Sequence, residues 1–329
     1  MKLKTFGFFL GIVAISSIYP ARAQSTQRFQ QVSEKQQTIQ VQNRNNQKQQ
    51  ATLIDRKLFF GDPEISRAQL SPDGKFLAFR KPLNGVINIW VKGINEPMSA
   101  ARPITEDKNR PIPAYFWSQD SRYILFVQDK GGNENFRIYA VSPTDKVAKG
   151  QVPEAKDLTP EDKVQARIYA VPENNPNIII VGLNNRDPKF HDVYSINIAT
   201  GERKLLYKND NNVSNWVTDL NGNLRLAVIN LPDGSTQINR IEDDTLEEVY
   251  RCQFGETCSP IRFHKNGQQV YMVTNKGNNV DLSRLTLFNP RTKKIEVIDS
   301  DPEKQVDFGS PIFSDETEEL IGTVYIGDK

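Results

Sequence analysis

From Leu53 to the C-terminus, apolar runs of roughly four to eight residues alternate with short polar turns, the pattern of strands rather than helices. Four stretches echo one another: Gln69-Leu-Ser-Pro-Asp-Gly-Lys-Phe-Leu-Ala-Phe79, Phe116-Trp-Ser-Gln-Asp-Ser-Arg-Tyr-Ile-Leu-Phe126, Arg262-Phe-His-Lys-Asn-Gly-Gln-Gln-Val-Tyr-Met272 and Ile312-Phe-Ser-Asp-Glu-Thr-Glu-Glu-Leu-Ile-Gly322. Each reads as a strand end, a polar turn and a second apolar strand. The repeat is marked at its turns by Ser71, Asp73 and Gly74, by Ser118 and Asp120, by Asn266 and Gly267, and by Ser314. Degenerate copies begin at Val171 and Val217. The second strand opens at Phe76, Tyr123, Ile178, Leu224, Val270 and Leu320, a spacing of about 49 residues.

That period, filled with strands and Asn/Asp/Gly turns, predicts an all-β chain folded as a β-propeller of four-stranded blades. The fourth repeat shows the content of one blade, with strands over Ser214 to Thr218, Leu224 to Ile229, Thr236 to Ile241 and Leu246 to Arg251. Asn221-Gly222, Asp233-Gly234 and Asp243-Asp244 separate them, turn pairs that tolerate positive φ. Ile124 to Val127 and Ile178 to Val181 are apolar at every position, as strands covered on both faces require. Trp90, Trp117 and Trp216 fall where inter-blade core is expected. The alternative is a two-layer β-sandwich, which needs no such echo. Five repeats are complete, and the sixth stops after Ser310 to Phe313 and Leu320 to Ile326. The propeller domain, residues 51–329, is thus expected to be truncated in its sixth repeat, a piece of something longer or one needing a partner. Leu53 to Phe60 reads equally as a strand completing the ring, an approach helix or a loop.

Upstream the pattern changes. A basic start at Lys2 and Lys4, an apolar run from Phe6 to Pro20 and Ala21-Arg22-Ala23 read as a secretory signal over residues 1–23, too short for a membrane anchor. Residues 24–50 hold eleven glutamines and few apolar groups, the composition of a flexible leader. Localisation is therefore read as exported, periplasmic or extracellular, with no membrane insertion after cleavage. In that compartment the two cysteines, Cys252 and Cys258, flank Gly255 and read as a local disulfide. The whole chain carries 42 Lys+Arg against 40 Asp+Glu, and the signal removes Lys2, Lys4 and Arg22 with no acid. Such balance offers no broad footprint for nucleic acid.

The Ser-Pro-Asp-Gly and Trp-Ser-Gln-Asp repeats resemble the propeller blades of the prolyl oligopeptidase family of serine peptidases. So do Asp129-Lys-Gly-Gly-Asn-Glu-Asn-Phe-Arg-Ile-Tyr139, the stretch Arg186 to Glu202, and the opening Phe59-Phe-Gly-Asp-Pro-Glu-Ile-Ser-Arg-Ala-Gln-Leu-Ser-Pro-Asp-Gly74. The likeness is greatest to the secreted acylaminoacyl peptidase and dipeptidyl peptidase branches. It implies a parent of seven blades, in which the propeller gates peptide access to an α/β-hydrolase domain. That domain, missing here or separately encoded, is the implied partner, and a peptide the implied substrate. A self-standing periplasmic propeller binding a protein or peptide, like that of the Tol system, is the alternative.

No Gly-x-Ser-x-Gly elbow occurs: Gly309-Ser310-Pro311 lacks the spacing, and Gly234-Ser235 continues into Thr236-Gln237. His191 and His264, the only histidines, read as structural, and Asp192 beside His191 is no triad partner because strand neighbours point to opposite faces. No catalytic residue, cofactor site or metal site is assigned, and no phosphate loop or zinc motif exists. Asn209 to Asn212 and Glu242 to Asp244 read as solvated turns rather than cation sites. The loops at Gly131-Gly132 and Lys276 to Asn279 occupy matching positions in repeats two and five, where substrate contact through loops near the channel is expected.

Overall fold

The computed structural model describes residues 53–61, 63–314 and 316–327. The signal over 1–23 and the leader over 24–50 lie outside these residues. The chain divides into two compact units, one ending at Gly61 and one beginning at Asp62. In the first, Arg56–Phe60 forms a short helix, so Leu53 to Phe60 does not supply the strand that its apolar residues also allowed.

The second unit is a β-propeller. Five four-stranded sheets follow one another along the chain, over 66–103, 114–157, 166–207, 215–252 and 258–299, and a two-stranded sheet follows over 308–325. Every pair is antiparallel, and within each sheet the strands lie in sequence order. Consecutive hairpins account for this simplicity. Asp243 and Asp244 have φ of 49° and 60°, and Asn84 and Gly85 of 52° and 84°, the mirror-image turns whose twist matches that of paired strands.

The first strands adjoin. Asn215–Thr218 packs against Ala166–Ala170 on one side and Cys258–Phe263 on the other. Between blades one and two, the Tyr115 hydroxyl donates to the Arg67 carbonyl at 2.5 Å, and Gln69 Nε2 donates to the Tyr115 carbonyl at 3.2 Å. Radial strands of this kind leave each blade's face free to pack on the next.

Five apolar cores fill those interfaces in turn. Ala78, Ile89 and Val91 of blade one meet Tyr115, Trp117 and Ile124 of blade two. Leu125 and Ile138 meet Ile179 and Val181; Ile180 and Val193 meet Trp216 and Ala227; Leu226 and Ile238 meet Phe263 and Met272. Tyr271 and Leu285 meet Phe308 of the two-stranded sheet. The second strands are sandwiched: Ile124 and Leu125, like Ile179, Ile180 and Val181, are fully buried. Each such side chain contributes about 1.5–3 kcal/mol by leaving water. Fourth strands are exposed, as in Arg203–Tyr207 and Ile295–Asp299, and their charges lie at the rim. Trp117 and Trp216 are buried in these cores, whereas Trp90 is half-buried, donating through Nε1 to the Lys81 carbonyl at 3.1 Å.

A disulfide joins Cys252, at the end of blade four's last strand, to Cys258, at the start of blade five's first. Closing so short a loop removes chain entropy equivalent to about 2 kcal/mol from the unfolded state. Reduction under partly denaturing conditions is expected to lower the unfolding free energy by about that amount in urea titrations. An unchanged midpoint would show that the clip contributes nothing to stability.

Candidate functional site

The turns between first and second strands of blades one, two, three and six border a common mouth, a cavity of about 900 Å³ lined by Gln69, Asp73, Trp117, Asp120, Glu173 and Glu318. Of the turn residues singled out by the repeat, Ser71, Asp73, Gly74 and Asp120 lie around this mouth. Their hydrogen bonds show what they do. The Ser71 hydroxyl donates to Asp73 Oδ1 at 2.7 Å and accepts the Phe76 N–H at 3.0 Å; Ser118 does the same with Asp120 and Tyr123, at 2.7 and 3.0 Å. Both pairs close a tight side-chain turn that fixes the hairpin. The Ser71 hydroxyl and Lys75 hold the Asp73 carboxyl well below the ordinary carboxylate range. At Asp120, burial pushes upward, and the hydrogen bonds from Ser118 and Arg122 outweigh it, leaving the carboxyl lowered.

Neighbouring turns are tied together, since the Asp73 N–H donates to Ser121 Oγ at 3.0 Å. In blade five the His264 imidazole stands where the turns of blades one, two and six carry serine, and its Nδ1 accepts the Asn266 N–H at 3.1 Å. Asn266 Oδ1 accepts the Gln268 N–H at 2.9 Å, and Gly267 follows with φ of 67°. Ser314 Oγ accepts the Glu316 and Thr317 N–H groups at 3.3 and 3.1 Å. These eight residues therefore build turns; Ser71, Asp73, Gly74 and Asp120 also line the mouth.

Three residues that the repeat did not mark meet in the same mouth. Arg262, on blade five's first strand, donates to Glu173 of blade three at 2.6 Å and to Glu318 of the sixth sheet, and its guanidinium lies 4.5 Å from the centre of the Phe313 ring. Blade four is bypassed. Glu173 lines both the large cavity and a smaller one of about 200 Å³ bounded by Tyr169, Trp216, Asp219 and Arg262, so the ion-paired chain crosses the opening. No sequence signal marks this cluster, because its members lie 89 and 56 residues apart.

Neither histidine is placed for acid–base work. His191 is 6 % exposed, and its Nε2 has no hydrogen-bond partner among the described residues. Burial, with the Arg167 charge, brings its pKa down to about 4. Asp192, beside it, accepts Arg186 Nε and Nη2, each at 2.8 Å, and the Asn209 N–H at 2.8 Å. Burial would raise the Asp192 carboxyl, and the Arg186 hydrogen bonds outweigh it and lower it. Asn209 in turn brackets Val213 through both its amide atoms, at 2.9 and 3.0 Å, which makes the Asn209 to Asn212 turn structural. Among the described residues no group of carboxylate, thiol and imidazole side chains is spaced to hold a metal ion, and no helix is long and apolar enough to cross a membrane.

The loop at Gly131-Gly132 borders a second cleft. Gly131 lines a cleft of about 520 Å³ formed by the connector between blades one and two together with blade two, among residues that include Asp107, Arg110, Phe126 and Tyr139.

No protein-family model matches the chain. It is 36% identical over 236 residues to dipeptidyl aminopeptidase BIII of Pseudoxanthomonas mexicana, a match covering 69% of this chain and 32% of that protein. It is 30% identical over 260 residues to dipeptidyl peptidase family member 6 of Caenorhabditis elegans, covering 74% and 34%. The chain thus spans about a third of the length of these curated relatives. Among solved structures, a prolyl endopeptidase superposes with a TM-score of 0.51 at 15% identity, over 71% of this chain and 35% of that one. Prolyl oligopeptidase B from Galerina marginata does so with a TM-score of 0.50 at 12% identity, over 71% and 34%. These two likenesses show the fold.

Proposed function

We infer, from the premise that the chain belongs to the prolyl oligopeptidase family of serine peptidases as a propeller portion of such an enzyme, that it is an exported, non-catalytic domain which gates peptide access to an α/β-hydrolase domain. The single observation that carries this reading is the 36% identity to a dipeptidyl aminopeptidase over 236 residues. The mouth supports it: a polar opening crossed by Arg262, Glu173 and Glu318 passes an extended chain more readily than a folded protein. Export rests on the basic, apolar and small-residue order of residues 1–23.

Chemistry is assigned to the hydrolase domain because a serine nucleophile needs an adjacent base and an oriented acid, and the sequence holds no Gly-x-Ser-x-Gly. The isolated chain is expected to take no label from a fluorophosphonate probe and to release nothing from dipeptidyl nitroanilides. Intact-mass spectrometry after labelling checks this. A stoichiometric serine adduct would contradict the reading.

A further inference from the structure

The cleft beside Gly131 has three properties that belong together. Its floor is apolar, formed by Ile104, Ile112, Phe126, Tyr139 and Ala155, with the Phe126 and Tyr139 rings stacked at 5.1 Å. Its volume of about 520 Å³ falls within the range of small-ligand sites.

At its polar end stands Gln128, 8 % exposed. Its Nε2 donates to Asp107 Oδ2 at 2.8 Å and to the Arg110 carbonyl at 3.1 Å. Both partners are acceptors, so the amide cannot be turned over, and Oε1 is the atom left without a donor. A buried acceptor in that state is unfavourable, and a ligand N–H would relieve it.

Arg110 lies at the same cleft. Its Nε is bound by the buried Asp129 carboxylate at 2.9 Å, which anchors the guanidinium, and among the described residues no acceptor takes its Nη groups. The site of a Cβ on Gly132 lies 2.9 Å from Arg110 Nη1, and Gly132 has φ of 83°, so glycine there leaves the guanidinium its place. Asp107 is already engaged: its Oδ1 accepts the Asn109 and Arg110 N–H groups, both at 2.8 Å. Its charge still faces Arg110, with Oδ2 held by Gln128 Nε2.

An anchored guanidinium with free N–H groups recognises a carboxylate, an orphaned amide oxygen an N–H, and an apolar floor a hydrocarbon side chain. We propose that this cleft binds the apolar C-terminal residue of a peptide, with the carboxylate on Arg110, the amide N–H on Gln128 and the side chain over Phe126 and Tyr139. The proposal goes beyond the gating reading and does not rest on it, since it concerns binding by this chain alone.

The test uses the full chain, labelled with ¹⁵N, titrated with N-acetyl-L-leucine, its carboxamide and acetate. The acid is expected to shift the amide resonances of residues 104–112 and 128–139. The carboxamide and acetate are each expected to bind about tenfold or more weakly, the loss of one charge-assisted contact or of the apolar one. Arg110→Gln, which also removes the cation paired with the buried Asp129 carboxylate and so is compared only once shown to be folded, should bring the acid down to the level of the carboxamide. Gln128→Leu should weaken acid and carboxamide alike, with thermal unfolding reporting that each variant is folded. Equal binding of acid and carboxamide, an unaffected Arg110→Gln variant, binding of acetate as tight as the acid's, or shifts confined to residues outside the cleft would each overturn the proposal. A failure would leave the gating reading intact, because that reading makes no use of the cleft.

Discussion

Replacing Asp192 by alanine is expected to lower the unfolding free energy by about 3 kcal/mol, a large loss for a polar side chain. Asp192 is 2 % exposed, and its carboxylate organises the end of blade three. It holds Arg186 through two bonds of 2.8 Å and the Asn209 N–H through a third, and Asn209, itself buried, positions Val213. Alanine leaves that buried N–H unsatisfied and frees Arg186 from its inner partner. Asp192→Asn retains one acceptor oxygen and is expected to recover part of the loss. Urea titrations of the three proteins at pH 7 measure it; a loss below about 1 kcal/mol for the alanine variant would show that the network does not organise the blade.

Stability is further expected to fall by about 3 kcal/mol as pH drops from 6.5 to about 4, because His191 stays neutral in the fold while the unfolded chain takes up a proton. The direction follows from the lowered pKa. Above pH 6.5 neither state binds the proton and His191 has no effect; below about 4 both do, and the loss is complete. Burial is the main cause, and the Arg167 charge adds to it, while Asp192 pulls weakly the other way. Asp73, Asp120 and Asp192 have carboxyl groups held below the ordinary 3.8, so their contributions disappear only at lower pH still. The two sources are therefore separable. In His191→Gln the loss between pH 6.5 and 4.5 should shrink while that below pH 4 remains, and identical pH profiles for variant and parent would refute the assignment.

Much of the fold was legible because the determinants of a blade are local. A polar turn of two to four residues sets each hairpin, and strands buried on both faces announce themselves as unbroken apolar runs, as at Ile178 to Val181. The fourth repeat shows this at the level of single strands: the observed Asn215–Thr218, Leu224–Asn230, Thr236–Glu242 and Thr245–Cys252 depart from the predicted ends by one residue. The helix at Arg56–Phe60 was only one of several readings, since five residues are too few for a helical period to show.

Far less of the candidate site could be read. The serines and aspartates of the turns were visible as motif, and the place of Ser71, Asp73 and Asp120 at one mouth follows only from how the blades pack. Arg262, Glu173 and Glu318 come together across that mouth from three blades, and no periodicity connects them. The Gly131-Gly132 loop was expected near the channel because loops carry function, yet its place beside Arg110 depends on how the connector over 105–113 runs between blades one and two. Local chemistry names an element, and only packing assigns its neighbours.

The central claim is that these blades gate a peptidase while contributing no chemistry of their own. The direct measurement is a chimera in which they replace the matching third of the Pseudoxanthomonas mexicana dipeptidyl aminopeptidase, assayed on short peptides and on a folded protein with an accessible N-terminus. The account predicts dipeptide release from the short peptides and none from the folded protein, with Arg262→Gln shifting the size limit upward. Equal cleavage of both substrates by the chimera, or loss of activity on short peptides in a chimera shown to be folded, would contradict it.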